Sequence, residues 1–314
     1  MLQKVGVIGG GTMGHGIAAA FALGGLSVSV YEPLDSQRGA ILPAIRDAYA
    51  LLVEEGLATT SESDAAEARI ALTDDLSVAV ADRDFIVEAV PERLELKQAL
   101  FAELDARAPA DAVLASNTSS LPLAAMLEAV SAARRERMLV THWYNPPLIM
   151  PLVELSFFGN MPEPVYNRVA QLHERIGKRT VKVLKDVPGL IANRIQQGIA
   201  REVFSIIEQG IAAPEDVDKA LMFGPAFRYA TTGQLEVADF GGLDIWATVG
   251  DNLLAVMDAS KSANPLLKQK VVQGKLGVKS GEGFYRYSPD RVGDMRRAFL
   301  RRLIHQLKAS KAYG

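Results

Sequence analysis

The sequence predicts an α/β protein in which a doubly wound, mainly parallel sheet domain is followed by a smaller all-helical domain. Three observations predict it. From Met1 to about Leu155, short β-branched runs alternate with longer alanine-rich stretches. The first of those runs ends in a glycine-spaced turn, and after Pro188 the apolar residues recur at helical rather than strand spacing.

In chain order the strand-like runs are KVGVIG, LSVSVYE, RDFIVEAV, AVLASN, RMLVTHW and LVEL. The helical stretches between them are long enough to serve as crossovers, which parallel neighbours require. From GLIANRIQQGIAREVFSIIEQG to the end, several more segments carry helical spacing and few read as strands. The boundary is placed in Lys182–Pro188, KVLKDVP, because Pro188 restricts its predecessor and Gly189 precedes a fresh helix. This divides the chain into domains 1–187 and 188–314.

Composition narrows the function classes. With 34 Lys plus Arg against 37 Asp plus Glu, the chain has no strong positive field for a phosphate backbone, so nucleic acid is not an expected partner. The absence of cysteine rules out a disulfide framework, a thiolate metal site and a cysteine nucleophile, and no metal is expected. The N-terminal MLQKVGVIGGG turns glycine-rich after one short apolar run, unlike a signal peptide or a membrane span, so a cytoplasmic protein is expected.

VGVIGGGTMGHGI places Gly9-x-Gly11-x-x-Gly14 between a strand and an alanine-rich helix. Gly9 suits a tight turn, Gly11 a close backbone approach to a pyrophosphate, and Gly14 close packing of helix on strand. A second strand, LSVSVYEP, ends in Glu32, whose carboxylate can accept from a ribose diol and would repel a 2′-phosphate. The expected cofactor is therefore NAD rather than NADP. Thr12 and Met13 fill the loop between Gly11 and Gly14 and are counted with its cofactor-binding residues. His15, in the same loop, reads as structural or as a phosphate neighbour.

His142 ends RMLVTHW, and Glu154 lies in the following apolar run beyond Asn145-Pro146-Pro147. If those strands pair, the two side chains meet and form a base with an orienting carboxylate. Taken alone, the two residues fit equally well a satisfied strand histidine and a solvated glutamate. The dinucleotide loop favours the first reading, because the cofactor leaves proton transfer to the protein.

Gly9-x-Gly11-x-x-Gly14, VEAVPERLELK, ASNTSSL, THWYNPP followed by PLVEL, PGLIANR and GVKSGEGFY, in this order from about residue 3 to 287, resemble the 3-hydroxyacyl-CoA dehydrogenase family. The resemblance implies a Rossmann-like domain, a helical domain that dimerises, and a catalytic pair corresponding to His142 and Glu154. It implies that Ser119 and Asn193 bind the substrate oxygen, that Asn145 supports the site, and that Glu92 and Lys97 lie near the nicotinamide ribose. Asn117 of ASNTSSL joins the cofactor-binding residues.

Two departures bear on the substrate. CoA-using members, by the resemblance, carry lysines after the second strand. Here no Lys or Arg lies between Arg46 and Arg69, where Glu54, Glu55, Glu62, Asp64 and Glu67 stand instead. GPAFRYATTGQLEVAD introduces Arg228, as in the branch resembling L-gulonate 3-dehydrogenase and carnitine dehydrogenase, and a guanidinium binds a carboxylate through two parallel hydrogen bonds. HWYNPP in place of HFFNP points the same way. The preferred substrate is a small free hydroxy acid held by Arg228. The alternative is an L-3-hydroxyacyl-CoA, and a remote alternative is a catalytically idle binding or structural protein.

Overall fold

The computed structural model describes residues 2–313. They fall into two units divided between Ile191 and Ala192, four residues beyond the boundary expected from sequence.

The first unit holds one eight-stranded sheet: β1 (Lys4–Ile8), β2 (Ser27–Tyr31), β3 (Ile70–Thr73), β4 (Phe85–Glu88), β5 (Val113–Ser116), β6 (Met138–Trp143), β7 (Leu152–Ser156) and β8 (Arg179–Val183). The spatial order is β3-β2-β1-β4-β5-β6-β7-β8. All pairs are parallel except β6 with β7. All six expected runs form strands. The two additional strands, β3 and β8, lie at the sheet's edges; β3 is a short, partly exposed run set between Arg69 and Asp74, and β8 is interrupted by Lys182. Chain order reverses between β1 and β4, so a crevice opens beyond the carboxyl ends of those strands, as such switch points require.

Helices α1–α8 (Thr12–Leu23, Asp35–Glu54, Thr60–Glu67, Leu76–Val80, Leu94–Arg107, Leu123–Leu127, Ala132–Arg135 and Glu163–Arg175) complete the first unit. β4, β5 and β6 are buried along their whole length. On one side Ile8, Ile86, Phe101, Leu104, Leu114 and Met138 share a core cluster. Elsewhere in the core Phe21, Phe85, Trp143 and His173 meet ring to ring at 5.3–5.9 Å, joining α1, α8 and the sheet. The acidic stretch between Glu54 and Glu67 ends in α3. Thr59 and Glu62 form a capping box at its start, and Glu67 takes two hydrogen bonds from Arg46 of α2, at 2.8 and 2.5 Å.

The second unit contains helices α9–α15 (Ala192–Glu208, Pro214–Phe223, Pro225–Tyr229, Gln234–Gly241, Leu243–Leu254, Pro265–Val272 and Val292–Ser310). Two isolated bridges, Gly277 with Glu282 and Glu282 with Arg286, are its strand-like exceptions. It leaves much apolar surface exposed: Val272 by 87%, Phe240 by 84% and Leu235 by 83%. Among the described residues no helix is long and apolar enough to cross a membrane.

Candidate active site

At the end of β1, Gly9 adopts φ +101°, and a Cβ there would lie 2.9 Å from the Ala89 carbonyl oxygen. A Cβ on Gly14 would fall 1.8 Å from the Gly9 oxygen, so only glycine lets α1 start this close to its strand. At Gly11 the same construction meets nothing within 4 Å. The backbone there faces open space at the N-terminus of a helix, where N–H groups and the helix dipole favour an anion. Gly9, Gly11, Thr12, Met13, Glu32 and Val90 border a cavity of about 620 Å³.

Glu32 is buried one residue past β2. Its Oε2 accepts from the Gly10 N–H at 3.0 Å and its Oε1 from Leu34 at 3.1 Å. Both oxygens are thereby oriented, and each retains a lone pair for a ribose hydroxyl. These features fit a dinucleotide. His15, expected in the loop, lies half-buried in the first turns of α1, with Nδ1 2.8 Å from the Gly11 carbonyl oxygen.

β6 and β7 pair antiparallel with His142 opposite Glu154, so both side chains stand on one face of the sheet. His142 Nδ1 lies 2.6 Å from Glu154 Oε2, and both residues are buried. A carboxylate at that distance keeps the ring proton on Nδ1 and leaves Nε2 to accept. Ser119 Oγ meets that nitrogen at 3.1 Å. The second glutamate oxygen accepts from the Ile191 N–H at 2.8 Å, while the Gly189 N–H donates to the Ser119 carbonyl at 3.2 Å. The PGLIANR motif thus clamps both the carboxylate and the serine through its backbone. Asn117 Oδ1 accepts from the Trp143 N–H at 2.9 Å, tying the ends of β5 and β6 together. Asn145 is exposed and precedes Pro146 through a cis peptide bond.

Beneath the Ser119 loop runs a polar chain. Glu88, fully buried at the end of β4, accepts from Ser116 Oγ at 2.6 Å, from the Val90 N–H at 2.7 Å and from Lys97 Nζ at 2.6 Å. Burial raises the pKa of its carboxyl, against the pull of Lys97 and Ser116. Lys97 reaches Glu92 at 3.2 Å with its other side. Glu92 Oε1 in turn takes the N–H groups of Ser119 and Ser120, at 3.0 and 3.1 Å, and the Thr118 hydroxyl at 2.6 Å. Partial burial raises the Glu92 pKa, but Thr118, Lys97 and Ser119 outweigh it and hold the carboxyl below its ordinary range. Lys97 is 1% exposed, so its ammonium supports Glu92 and the serine loop from below rather than facing the cavity.

Asn193 is the second residue of α9, and Arg228 lies exposed on α11; both belong to the second unit. Among the described residues the Arg228 guanidinium has no ion-pair partner, and no group of His, Asp or Glu is arranged to hold a metal ion. Sequence reasoning missed the Glu88–Ser116–Lys97 chain and the Gly189 and Ile191 backbone contacts. The signals available were the motifs themselves: VEAVPERLELK contains Glu88 and Lys97, and PGLIANR contains Gly189 and Ile191, but neither shows which atoms meet.

The glycine-lined crevice at the switch point and the buried contact of His142 with Glu154 are of the kind that a nicotinamide-dependent oxidoreductase uses. The model of the 3-hydroxyacyl-CoA dehydrogenase NAD-binding domain matches residues 4–187, and that of the C-terminal domain residues 189–287. The chain belongs to the 3-hydroxyacyl-CoA dehydrogenase family and is an NAD-dependent oxidoreductase acting on CH–OH groups.

Over 306 residues, 97% of each chain, it is 32% identical to a 5-formyl-3-hydroxy-2-methylpyridine 4-carboxylate 5-dehydrogenase of Mesorhizobium japonicum. It is 35% identical to a 3-hydroxybutyryl-CoA dehydrogenase of Mycobacterium tuberculosis, over 91% of this chain and 99% of that one. With an L-carnitine dehydrogenase of Streptomyces coelicolor it shares 33% identity, over 74% of this chain and 72% of that one. The solved structure of a 5-formyl-3-hydroxy-2-methylpyridine 4-carboxylic acid 5-dehydrogenase, described as an NAD+-dependent dismutase, matches with a TM-score of 0.91 over 100% of both chains at 30% identity.

Proposed function

We propose that this enzyme oxidises the secondary alcohol of a small free hydroxy acid, with His142 as the base and Glu154 as its orienting partner. The observation that carries the catalytic half is the buried 2.6 Å contact between His142 Nδ1 and Glu154 Oε2, with Nε2 left facing the Ser119 hydroxyl. Nε2 takes the substrate's hydroxyl proton, and the carboxylate stabilises the imidazolium that forms. Bound NAD supplies the hydride acceptor. Ser119 and Asn193 donate to the substrate oxygen, and Asn145 supports the same place. Gly9, Gly11, Thr12, Met13 and Gly14 cradle the pyrophosphate, Glu32 accepts from the adenosine ribose, and Asn117 and Glu92 border the nicotinamide end with Lys97 behind them.

Three observations support a free acid. Arg228 is an exposed guanidinium with no ion pair among the described residues, so its carboxylate-binding fork is available. In the α2–α3 region, where a CoA nucleotide needs positive charge, Arg46 is already bound to Glu67. The solved structure of the pyridine-carboxylate enzyme matches the whole chain with a TM-score of 0.91, whereas that of an Archaeoglobus fulgidus 3-hydroxyacyl-CoA dehydrogenase, which also spans 98% of this chain, matches with 0.67. The competing reading, an L-3-hydroxyacyl-CoA, is supported by the 35% identity to the mycobacterial enzyme.

The test is NADH formation with 3-hydroxybutyryl-CoA and with a panel of free hydroxy acids that includes carnitine and hydroxymethyl- and formyl-pyridine carboxylates. Turnover of the thioester alone overturns the free-acid reading. Arg228→Leu is expected to raise KM for the free acid about tenfold or more and leave that for the thioester unchanged. The apolar surface of the second unit and the family resemblance support a homodimer, and we place the enzyme in the cytoplasm.

A further inference from the structure

The connection between β6 and β7, Asn145–Pro151, reads NPPLIMP. Three of its seven residues are prolines, so it carries seven carbonyls but four N–H groups. Two of its carbonyls find backbone donors. That of Pro146 takes the N–H groups of Ile149 and Met150 at 3.1 and 2.9 Å, and that of Pro151 takes Arg179's at 2.8 Å. The carbonyls of Pro147 and Met150 converge on the ammonium of Lys178, at 2.6 and 2.9 Å, with that of Leu148 at 3.4 Å. The missing donors are thus supplied by the one side chain that carries three on a single atom.

Lys178 is 6% exposed. It follows α8, its own N–H bonds the His173 carbonyl at 3.0 Å, and the next residue, Arg179, opens the pairing of β8 with Leu152 of β7. Its ammonium lies 5.3 Å from the centroid of Trp143, the neighbour of His142 on β6. On the turn's other side, Pro147 packs so closely on α1 that a Cβ on Gly16 would meet its ring at 2.9 Å. Burial lowers the Lys178 pKa to about 8, which leaves it mostly charged at neutral pH.

We propose that Lys178 is a positioning residue for His142 and Glu154: its ammonium fixes the NPPLIMP turn and thereby the register that sets the imidazole against the carboxylate. The inference rests on the reading of that pair as the catalytic base. Removing the ammonium leaves buried carbonyls unpaired, and the turn relaxes to hydrate them.

The experiment is proton NMR of the whole chain in water, reading the low-field Nδ1–H resonance of the histidine–glutamate hydrogen bond. His142→Gln assigns it by its loss, and NAD is titrated calorimetrically in parallel. Lys178→Met is expected to shift the resonance upfield or abolish it, while NAD affinity stays within about threefold of wild type because the cofactor loop is left intact. Lys178→Gln, which keeps a polar head, is read in the same way if the Met variant does not fold. An unmoved resonance in a variant that binds NAD overturns the role of Lys178 and leaves the pair standing. A wild-type spectrum with no His142-dependent resonance removes the hydrogen-bonded pair itself, and this inference with it. Loss of NAD binding in both variants makes Lys178 a requirement for folding and overturns the positioning role.

Discussion

At the scale of single residues, two buried histidines of one domain contrast. His142 has a carboxylate on one ring nitrogen and a hydroxyl on the other. His173 lies among Phe21, Phe85 and Trp143, with Nδ1 bonded to the Val169 carbonyl at 2.8 Å and no partner for Nε2. His142→Ala is expected to lower kcat by about 10²-fold or more with NAD affinity nearly unchanged, as loss of a general base should. Steady-state kinetics and NAD titration check it, and unaltered turnover removes the assignment. For His173, burial lowers the pKa from 6.5 to about 4. The unfolded chain therefore takes up a proton as pH falls through 6.5 while the native state does not, so this contribution to stability declines between about 6.5 and 4. The decline amounts to about 3 kcal/mol across that window. Urea unfolding at pH 7 and 4.5 is expected to show that loss in wild type and not in His173→Phe.

At the scale of elements, the strands the sequence displayed openly are those whose two faces are covered. β4, β5 and β6 read as apolar runs because nothing along them meets water. β3 and β8 did not: β8, RTVKV, mixes charge with apolar residues, and β3, IALT, is a short, partly exposed run set between Arg69 and Asp74. The pairing of His142 with Glu154 was legible for a related reason: a short proline-bound connection between two strands allows few registers. Lys178 was not, since it lies 31 residues from Pro147 and nothing local marks a lysine as the donor for a distant turn. The Ile191 amide on Glu154 was hidden likewise, being backbone and carrying no residue signature. The helix–strand approach at the cofactor loop gives a test at this scale. Gly14→Ala pushes a methyl into the Gly9 carbonyl, so α1 must move off its strand. NAD binding measured by calorimetry is expected to fall at least about tenfold, with a loss of thermal stability of about 1–3 kcal/mol; unchanged NAD affinity removes the close-packing role given to Gly14.

At the scale of the whole molecule, the two units differ in how they treat apolar surface. The first encloses its sheet so fully that whole strands are inaccessible. The second leaves Leu235, Phe240 and Val272 more than four-fifths exposed, which a lone soluble unit has little reason to do. Sedimentation equilibrium is expected to give a dimer mass, and Phe240→Asp combined with Val272→Asp to weaken association. A monomer at micromolar concentration would leave those side chains without a partner.

The sheet reverses direction once among the described strands, between β6 and β7. A side chain's face along a strand is a matter of odd or even position, so the length of NPPLIMP carries a parity that its composition does not. Losing or gaining one residue there would carry Glu154 through the sheet to the side opposite His142, while a change of two would keep it on the near side one step out of line. The connection is therefore free to vary in which residues it uses far more than in how many.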